Sequence, residues 1–311
     1  MAPRARLAGD ASARRYERLT LTGRGIAVLM DAPPESGQDT GAFVRIADWL
    51  RSQGLSAPKI LAADTANGLL LLEDFGDAVF GRLAAGSPEV ELGLYRAAGE
   101  MLITLQGCAV PDWVPHPTPA DLSSLIGPVF DWYAAPLGVE VEQRRKSEIL
   151  AELESLLTQT APSRPVLSLR DCHAENLIWL PDRTGVARVG LLDFQDAFAV
   201  HPAYDFVSLI QDARRDVPAA VSDALLSGFD DDFRMAFAVL GVQRNLRILG
   251  IFGRLSLSAG KPGYVSLIPR VWGHLQTSLG HPALRKLAVL LQGLPDPFQT
   301  SLTLLDPHDP A

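Results

Sequence analysis

The chain has 311 residues, of which 47% are hydrophobic and 21% charged, and its formal net charge is −8. This length exceeds one compact domain and predicts two lobes, while the negative charge disfavours a nucleic-acid-binding protein, which would carry a basic face. Two cysteines, Cys108 and Cys172, stand outside any CxxC pattern, which excludes a disulfide framework and disfavours structural zinc. The apolar runs are too short for a membrane span and the start lacks a signal-peptide core, so we expect a cytoplasmic protein.

The first hundred residues alternate short apolar runs with turn signals and predict a small, mostly antiparallel sheet. The predicted strands are residues 16–21, 25–30, 60–63 and 69–73. Residues 42–52 place Phe43, Ile46 and Leu50 at helical spacing, which predicts one helix beside the sheet.

From residue 89 onward the apolar spacing is helical, except over residues 166–194. The predicted helices are 91–106, 122–133, 140–158 and 219–242, and the predicted strands of the exception are 166–169, 177–180 and 187–192. We therefore predict an α+β fold with a β-rich lobe, residues 1–76, and a larger helical lobe, residues 77–311, that contains a β-hairpin.

Two acids each follow an apolar strand directly, and an asparagine lies five residues after the first of them. They are Asp171, Asn176 and Asp193. Phosphoryl transfer needs one carboxylate to orient and deprotonate an attacking hydroxyl, and oxygen ligands to hold Mg²⁺. We assign Asp171 as the base, and Asn176 and Asp193 as the metal ligands.

Arg170-Asp171-x-x-x-x-Asn176 together with Asp193-Phe194 resembles the aminoglycoside phosphotransferase branch of the kinase-like fold. The segments HPAYDF (201–206), SLIQDARRD (208–216) and QRNLRILGIFGRL (243–255) are similar to bacterial anomeric N-acetylmuramate/N-acetylglucosamine kinases. The resemblance implies a bilobal protein-kinase-like fold that uses ATP and Mg²⁺. It also implies phosphorylation of an amino sugar at C1 in cell-wall recycling.

The nucleotide is expected at two places in the N-terminal lobe. A phosphate-covering turn is predicted at Gly9, Asp10, Ala11 and Ser12, where glycine allows close backbone approach. A hinge between the lobes is predicted at Glu73, Asp74 and Phe75, whose backbone would read the adenine edge.

Typical kinases pair a third-strand Lys with a Glu on the adjacent helix. Residues 25–30 contain no Lys and residues 42–52 no Glu. We expect Arg14 or Arg15 to replace the lysine; the alternative is a pseudokinase.

Six polar residues flank the predicted base and the second acid or follow them on a predicted helix, and we assign them to the acceptor. They are Arg170, Glu175, Gln195, Asp196, Asp212 and Arg215. An arginine there would suit the lactyl carboxylate of an acidic sugar. Aminoglycosides and other amino-alcohols stay open as acceptors, and Asp171, His173 and Asp193 also permit a metallophosphoesterase. We expect a monomer without nucleic-acid or membrane partners.

Overall fold

The structure is a computed structural model that describes residues 4–7, 14–21, 23, 25–37 and 39–306. The chain forms two compact units. The first comprises residues 1–109 and 169–197, and the second comprises residues 110–168 and 198–311. The predicted lobe boundary after residue 76 stays a prediction.

The first unit is built on a five-stranded antiparallel sheet in the order β1-β2-β3-β5-β4. Its strands are β1 (Arg4–Arg6), β2 (Arg15–Leu21), β3 (Gly25–Asp31), β4 (Ile60–Asp64) and β5 (Leu69–Glu73). Helix α1 (Thr40–Ser52) buries Phe43, Ile46 and Leu50, as their spacing predicts. The four predicted strands and the helix are confirmed, and β1 is a fifth strand that the sequence analysis did not predict.

The same unit contains two further helices and the hairpin that was expected around the two acids. These are α2 (Phe80–Ala84), α3 (Pro88–Gly107), β7 (Leu177–Trp179) and β8 (Val189–Leu191). Leu191 N–H donates to the Ser56 carbonyl at 2.8 Å, and Trp179 N–H donates to the Ala78 carbonyl at 2.8 Å. The hairpin is thus joined by backbone hydrogen bonds to the chain just before β4 and to the chain just after β5.

The second unit is mainly helical. It contains α4 (Pro119–Ser124), α5 (Gln143–Gln159), β6 (Val166–Ser168), β9 (Phe198–Val200), α6 (Ala203–Ile210), α7 (Ala219–Leu226), α8 (Asp231–Ala259), α9 (Ile268–Leu279) and α10 (Arg285–Leu291). Strands β6 and β9 pair antiparallel. Helix α8 packs against α6 and α9.

Two of the predicted helices are wrong as continuous elements. The segment 122–133 divides into α4 and a π-helical turn, Phe130–Ala134, with Gly127 and Pro128 between them. The segment 219–242 divides because Asp230 begins α8 by accepting the Phe233 N–H at 2.9 Å, which is the usual role of an N-cap aspartate. Apolar spacing continues across both breaks and therefore does not reveal them.

Among the described residues, α8 alone is long and apolar enough to cross a membrane. However, 78% of its most apolar stretch is buried inside the structure, which is also how the core helix of a globular domain is placed.

His201 at the start of α6 gives the second unit a specific pH dependence. Its Nδ1 accepts the Ala203 N–H at 3.0 Å, and its ring lies 5.8 Å from that of Phe233. Loss of solvent lowers the pKa of His201 from 6.5 to about 4. Between these pH values the unfolded chain binds a proton that the folded protein does not. The unfolding free energy is therefore highest above pH 6.5 and decreases as the pH falls from 6.5 towards 4.

We expect His201→Asn to weaken this dependence, because the asparagine Oδ1 can accept the same N–H without titrating. From pH 7.5 to 5.5 the wild type should lose about 1 kcal/mol more unfolding free energy than the variant. Urea unfolding at the two pH values measures this difference. Equal losses in both proteins would contradict the assignment.

Candidate active site

The β7–β8 hairpin brings two of the three predicted catalytic-site residues to the same end. Leu177 of β7 lies opposite Leu191 of β8. One step further, Leu192 N–H donates to the Asn176 carbonyl at 2.9 Å. Asn176 precedes one strand and Asp193 follows the other, so the pairing register of the hairpin places them side by side.

The loop before β7 is held by short-range hydrogen bonds. His173 N–H donates to the Asp171 carbonyl at 3.0 Å, and Asn176 N–H donates to the His173 carbonyl at 2.9 Å. The Asn176 side chain also donates from Nδ2 to the Asp171 carbonyl at 2.9 Å. Because Nδ2 is used in this way, Oδ1 is the end of the amide that is left for a ligand.

Left-handed backbone marks both ends of this constellation. Arg170, with φ 71°, precedes Asp171, and Asp193 itself has φ 55°; in the part of the chain that the structure describes, no other non-glycine residue has positive φ. Such residues cluster at functional sites because the surrounding structure must impose them.

Asp193 is surrounded by one amide, one arginine and two other carboxylates. Its Oδ1 accepts from Gln195 Nε2 at 2.8 Å and faces Arg14 Nη1 at 3.4 Å. Its pKa is raised above the usual value, first by partial desolvation and further by the negative charges of Asp171 and Asp196, while Gln195 and Arg14 act in the opposite direction. Asp171 is therefore close enough for the two carboxylates to interact, which is an arrangement that a cation would stabilise.

The structure separates the two candidates for the missing lysine. Arg14 is 7% exposed and contacts Asp193, whereas Arg15 is exposed at the start of β2. Tyr16 hydrogen-bonds Arg14 and was not singled out for a role by the sequence, because a lone tyrosine in a strand carries no signal for one. Gly9, Asp10, Ala11 and Ser12 lie outside the described residues.

The predicted hinge is fixed by contacts within the first unit. Glu73, at the end of β5, pairs with Arg183 of the β7–β8 loop. Asp74 is bound by Arg18 of β2. The Phe75 ring lies beneath the Arg183 guanidinium at 5.0 Å.

Helix α1 reaches the site through an aromatic contact instead of a Lys–Glu pair. Phe194, directly after Asp193, is fully buried, and its ring lies 4.8 Å from that of Phe43 in α1. Arg51, near the end of α1, lies 3.7 Å from Glu73. The helix and the second acid are therefore packed together without the usual ion pair.

Four of the six predicted acceptor residues lie in the first unit, and two lie in the second. Arg170, Glu175, Gln195 and Asp196 flank Asp171 and Asp193, although the Glu175 carboxylate lies against Gly81 of α2. Asp212 and Arg215 belong to the second unit, where they follow the end of α6 instead of lying on a helix, as the sequence had suggested. Asp212 is 1% exposed and accepts the Arg214 N–H at 2.8 Å.

The donor set fits Mg²⁺. One carboxylate and one amide oxygen are hard ligands, and Mg²⁺ sites are commonly completed by water and substrate phosphates. The described ranges contain no group of three or more His, Cys, Asp or Glu side chains arranged to hold a metal ion. A dinuclear transition-metal site would require such a group.

The sequence matches the model of the phosphotransferase enzyme family over residues 4–238. It is 38% identical to the N-acetylmuramate/N-acetylglucosamine kinase of Caulobacter vibrioides, with 90% of this chain and 89% of that protein covered. It is 35% identical to the protein of the same name from Pseudomonas aeruginosa, with 92% and 87% covered.

Two solved structures are similar in fold at low sequence identity. A choline/ethanolamine kinase family protein from Mesorhizobium loti has a TM-score of 0.63 at 16% identity, with 93% of this chain and 92% of that chain covered. The GDP complex of aminoglycoside 2'-phosphotransferase-IIIa has a TM-score of 0.62 at 14% identity, with 89% and 92% covered. The expected kinase-like α+β fold is confirmed.

We expect Gly190→Ala to loosen the packing between the hairpin and residue 75. An added Cβ would lie 2.9 Å from Phe75 Cδ2 and 3.1 Å from Leu180 Cδ1, and such overpacking lowers the unfolding free energy by about 1–3 kcal/mol. Gly273→Ala is the control, because nothing lies within 4 Å of its added Cβ. Urea unfolding should show the control at or above wild-type stability; equal stability of all three proteins would refute the packing argument.

Proposed function

Because this chain belongs to the phosphotransferase enzyme family, we propose that it transfers the γ-phosphoryl group of ATP to the anomeric hydroxyl of N-acetylmuramate or N-acetylglucosamine. The enzyme is a small-molecule kinase. The observation that carries the proposal is the joint positioning of Asp171, Asn176 and Asp193 within one compact unit. The acceptor follows the names of the relatives in Caulobacter and Pseudomonas.

In this proposal Asp171 is the general base. Its carboxylate accepts the proton of the sugar hydroxyl as that oxygen bonds to the γ-phosphorus and the bond from phosphorus to the leaving oxygen of ADP breaks. The backbone hydrogen bond from His173 and the side-chain bond from Asn176 both reach the Asp171 carbonyl. They support the role because they fix the loop that carries the base.

Asn176 and Asp193 would hold Mg²⁺, which supplies neutralisation of the charge on the phosphates. Both hydrogen bonds that described residues donate to Asp193 end on Oδ1, so Oδ2 is the oxygen offered to the ion. Arg14 would take over the charge of the missing lysine, because it is buried beside Asp193. Gly9 to Ser12 and the backbone of Glu73 to Phe75 are proposed to bind the nucleotide.

Gln195 supports an acceptor site beside Asp193. The residue is 8% exposed, its Nε2 is bound to Asp193, and its buried Oε1 has no hydrogen-bond partner among the residues described. A buried amide oxygen of this kind favours a ligand that donates, such as a sugar hydroxyl or an acetamido N–H. The other acceptor assignments stay proposals, as do the cytoplasmic location and the monomeric state.

The direct test is ADP release with ATP and Mg²⁺ across N-acetylmuramate, N-acetylglucosamine, kanamycin and choline. We expect turnover of the two amino sugars and a phosphorus NMR signal coupled to the C1 proton. The 1-O-methyl glycoside of N-acetylglucosamine is the matched control and should not react, because its anomeric oxygen carries no proton. Phosphorylation of that glycoside would exclude the anomeric assignment, and preferred turnover of kanamycin or choline would replace the proposed acceptor.

Asp171→Asn should lower kcat by about 100-fold or more, because the amide cannot accept the proton. The ADP dissociation constant, measured by calorimetry, should stay within about twofold, because the variant keeps the size of the side chain. Asp182→Asn makes the same chemical change at an exposed position of the β7–β8 loop and should have wild-type kcat. Undiminished kcat in Asp171→Asn would remove this residue from the mechanism.

A further inference from the structure

Three carboxylates follow one another closely at the end of β5, and arginines from two distant parts of the chain bind them. We call residues 73–77 the hinge segment; its carboxylates belong to Glu73, Asp74 and Asp77. Arg18 comes from β2, and Arg183 from the loop between β7 and β8. All these residues belong to the first unit.

Arg183 binds this segment and the chain beside it through both of its terminal nitrogens. Nη2 donates to Glu73 Oε1 at 2.5 Å, and Nη1 donates to Ser56 Oγ at 2.7 Å. The guanidinium carbon lies 5.0 Å above the Phe75 ring. The Ser56 hydroxyl in turn donates to the Ala187 carbonyl at 2.6 Å. Arg183 therefore ties the loop of the catalytic hairpin to the start of the hinge segment.

Arg18 binds the rest of the segment. Its Nε and Nη2 donate to the two carboxylate oxygens of Asp74 at 2.6 and 3.0 Å, and its Nη1 donates to Asp77 at 2.9 Å. The Asp74 side chain is 10% exposed and that of Asp77 is 63% exposed. Asp74 Oδ1 also accepts the Gly76 N–H at 2.9 Å, so the backbone turn itself depends on the Arg18–Asp74 pair.

Isolated surface ion pairs contribute little to stability, whereas Arg18 and Arg183 each donate several hydrogen bonds to this segment or to the chain beside it. The planar guanidinium of arginine has several N–H donors in fixed positions, and it therefore sets the conformation of the groups that it binds. A backbone segment that hydrogen-bonds the edge of a base binds more tightly when its conformation is already fixed. If the segment became ordered only on binding, the lost conformational entropy would reduce the affinity.

We propose that Arg18 and Arg183 are positioning residues that hold the hinge segment in the conformation that reads the nucleotide base. This inference rests on the proposed function, because it takes residues 73–75 as the base-reading backbone. Neither arginine touches the reacting atoms in this role. Their effect is confined to ligands that carry a base.

The test compares a ligand with a base and one without. For the wild type, Arg18→Met and Arg183→Met, we would measure the KM for ATP, the KM for the sugar, kcat, and inhibition by tripolyphosphate, which carries phosphates alone. Binding of ADP by calorimetry gives a readout that does not need turnover. Arg18→Lys, Arg183→Lys and Glu73→Gln serve as milder variants if a methionine variant does not fold.

Each methionine variant should raise the KM for ATP and the ADP dissociation constant about tenfold, which is the size of a lost charge-assisted hydrogen bond. Inhibition by tripolyphosphate and the sugar KM should stay within about twofold. Asp77→Asn should do less than Asp74→Asn, because the Asp77 pair is the more exposed. Arg144→Gln, which removes an exposed ion pair with Glu148, should change none of these values.

The proposal is overturned if ADP and tripolyphosphate weaken in the same proportion, since the arginines would then only stabilise the fold, or if the ADP affinity does not change. Failure of the proposed function would appear differently. The wild type would then turn over no acceptor, while the calorimetric comparison of ADP binding still decides whether the arginines position the hinge segment.

Discussion

The hydrogen bond from Leu192 N–H to the Asn176 carbonyl is the constraint on which the candidate site depends. It extends the pairing of β7 and β8 by one step, and that step sets where the two proposed metal ligands lie. A one-residue slip of the hairpin would turn the side chains to opposite faces. The arrangement of the candidate site is therefore a matter of strand register, and Gly190, which lies in β8 and packs against Phe75 and Leu180, supports it indirectly.

Much of the first unit follows from the sequence, because its strands are short and alternate and α1 has regular apolar spacing. The predicted bounds of β2, β3, β4 and β5 differ from the observed ones by at most one residue. The helical unit is less predictable, because apolar spacing runs through the breaks after α4 and α7. Strand β9 has three residues, too few to show alternation, and it pairs with β6, which lies 30 residues or more earlier in the chain.

The motif residues of the site could be assigned from spacing alone, but their supporting residues could not. Arg14 and Arg15 are neighbours of the same type in the sequence, and only the folded structure shows that Arg14 is the one that contacts Asp193. Arg183 stands in a polar turn, 110 residues away from Glu73, where local patterns indicate a solvated side chain. Contacts over such distances form only in the tertiary structure, and they leave no local pattern in the sequence.

The left-handed backbone at Asp193 has a consequence for evolution and engineering. A non-glycine residue in this conformation costs about 1 kcal/mol or more relative to glycine, so selection for thermal stability alone would favour glycine there. Any such change would remove the acid on which the proposed activity relies. The loop is thus a point where stability and catalysis are in conflict, and consensus stabilisation of this protein should leave residues 170 and 193 unchanged.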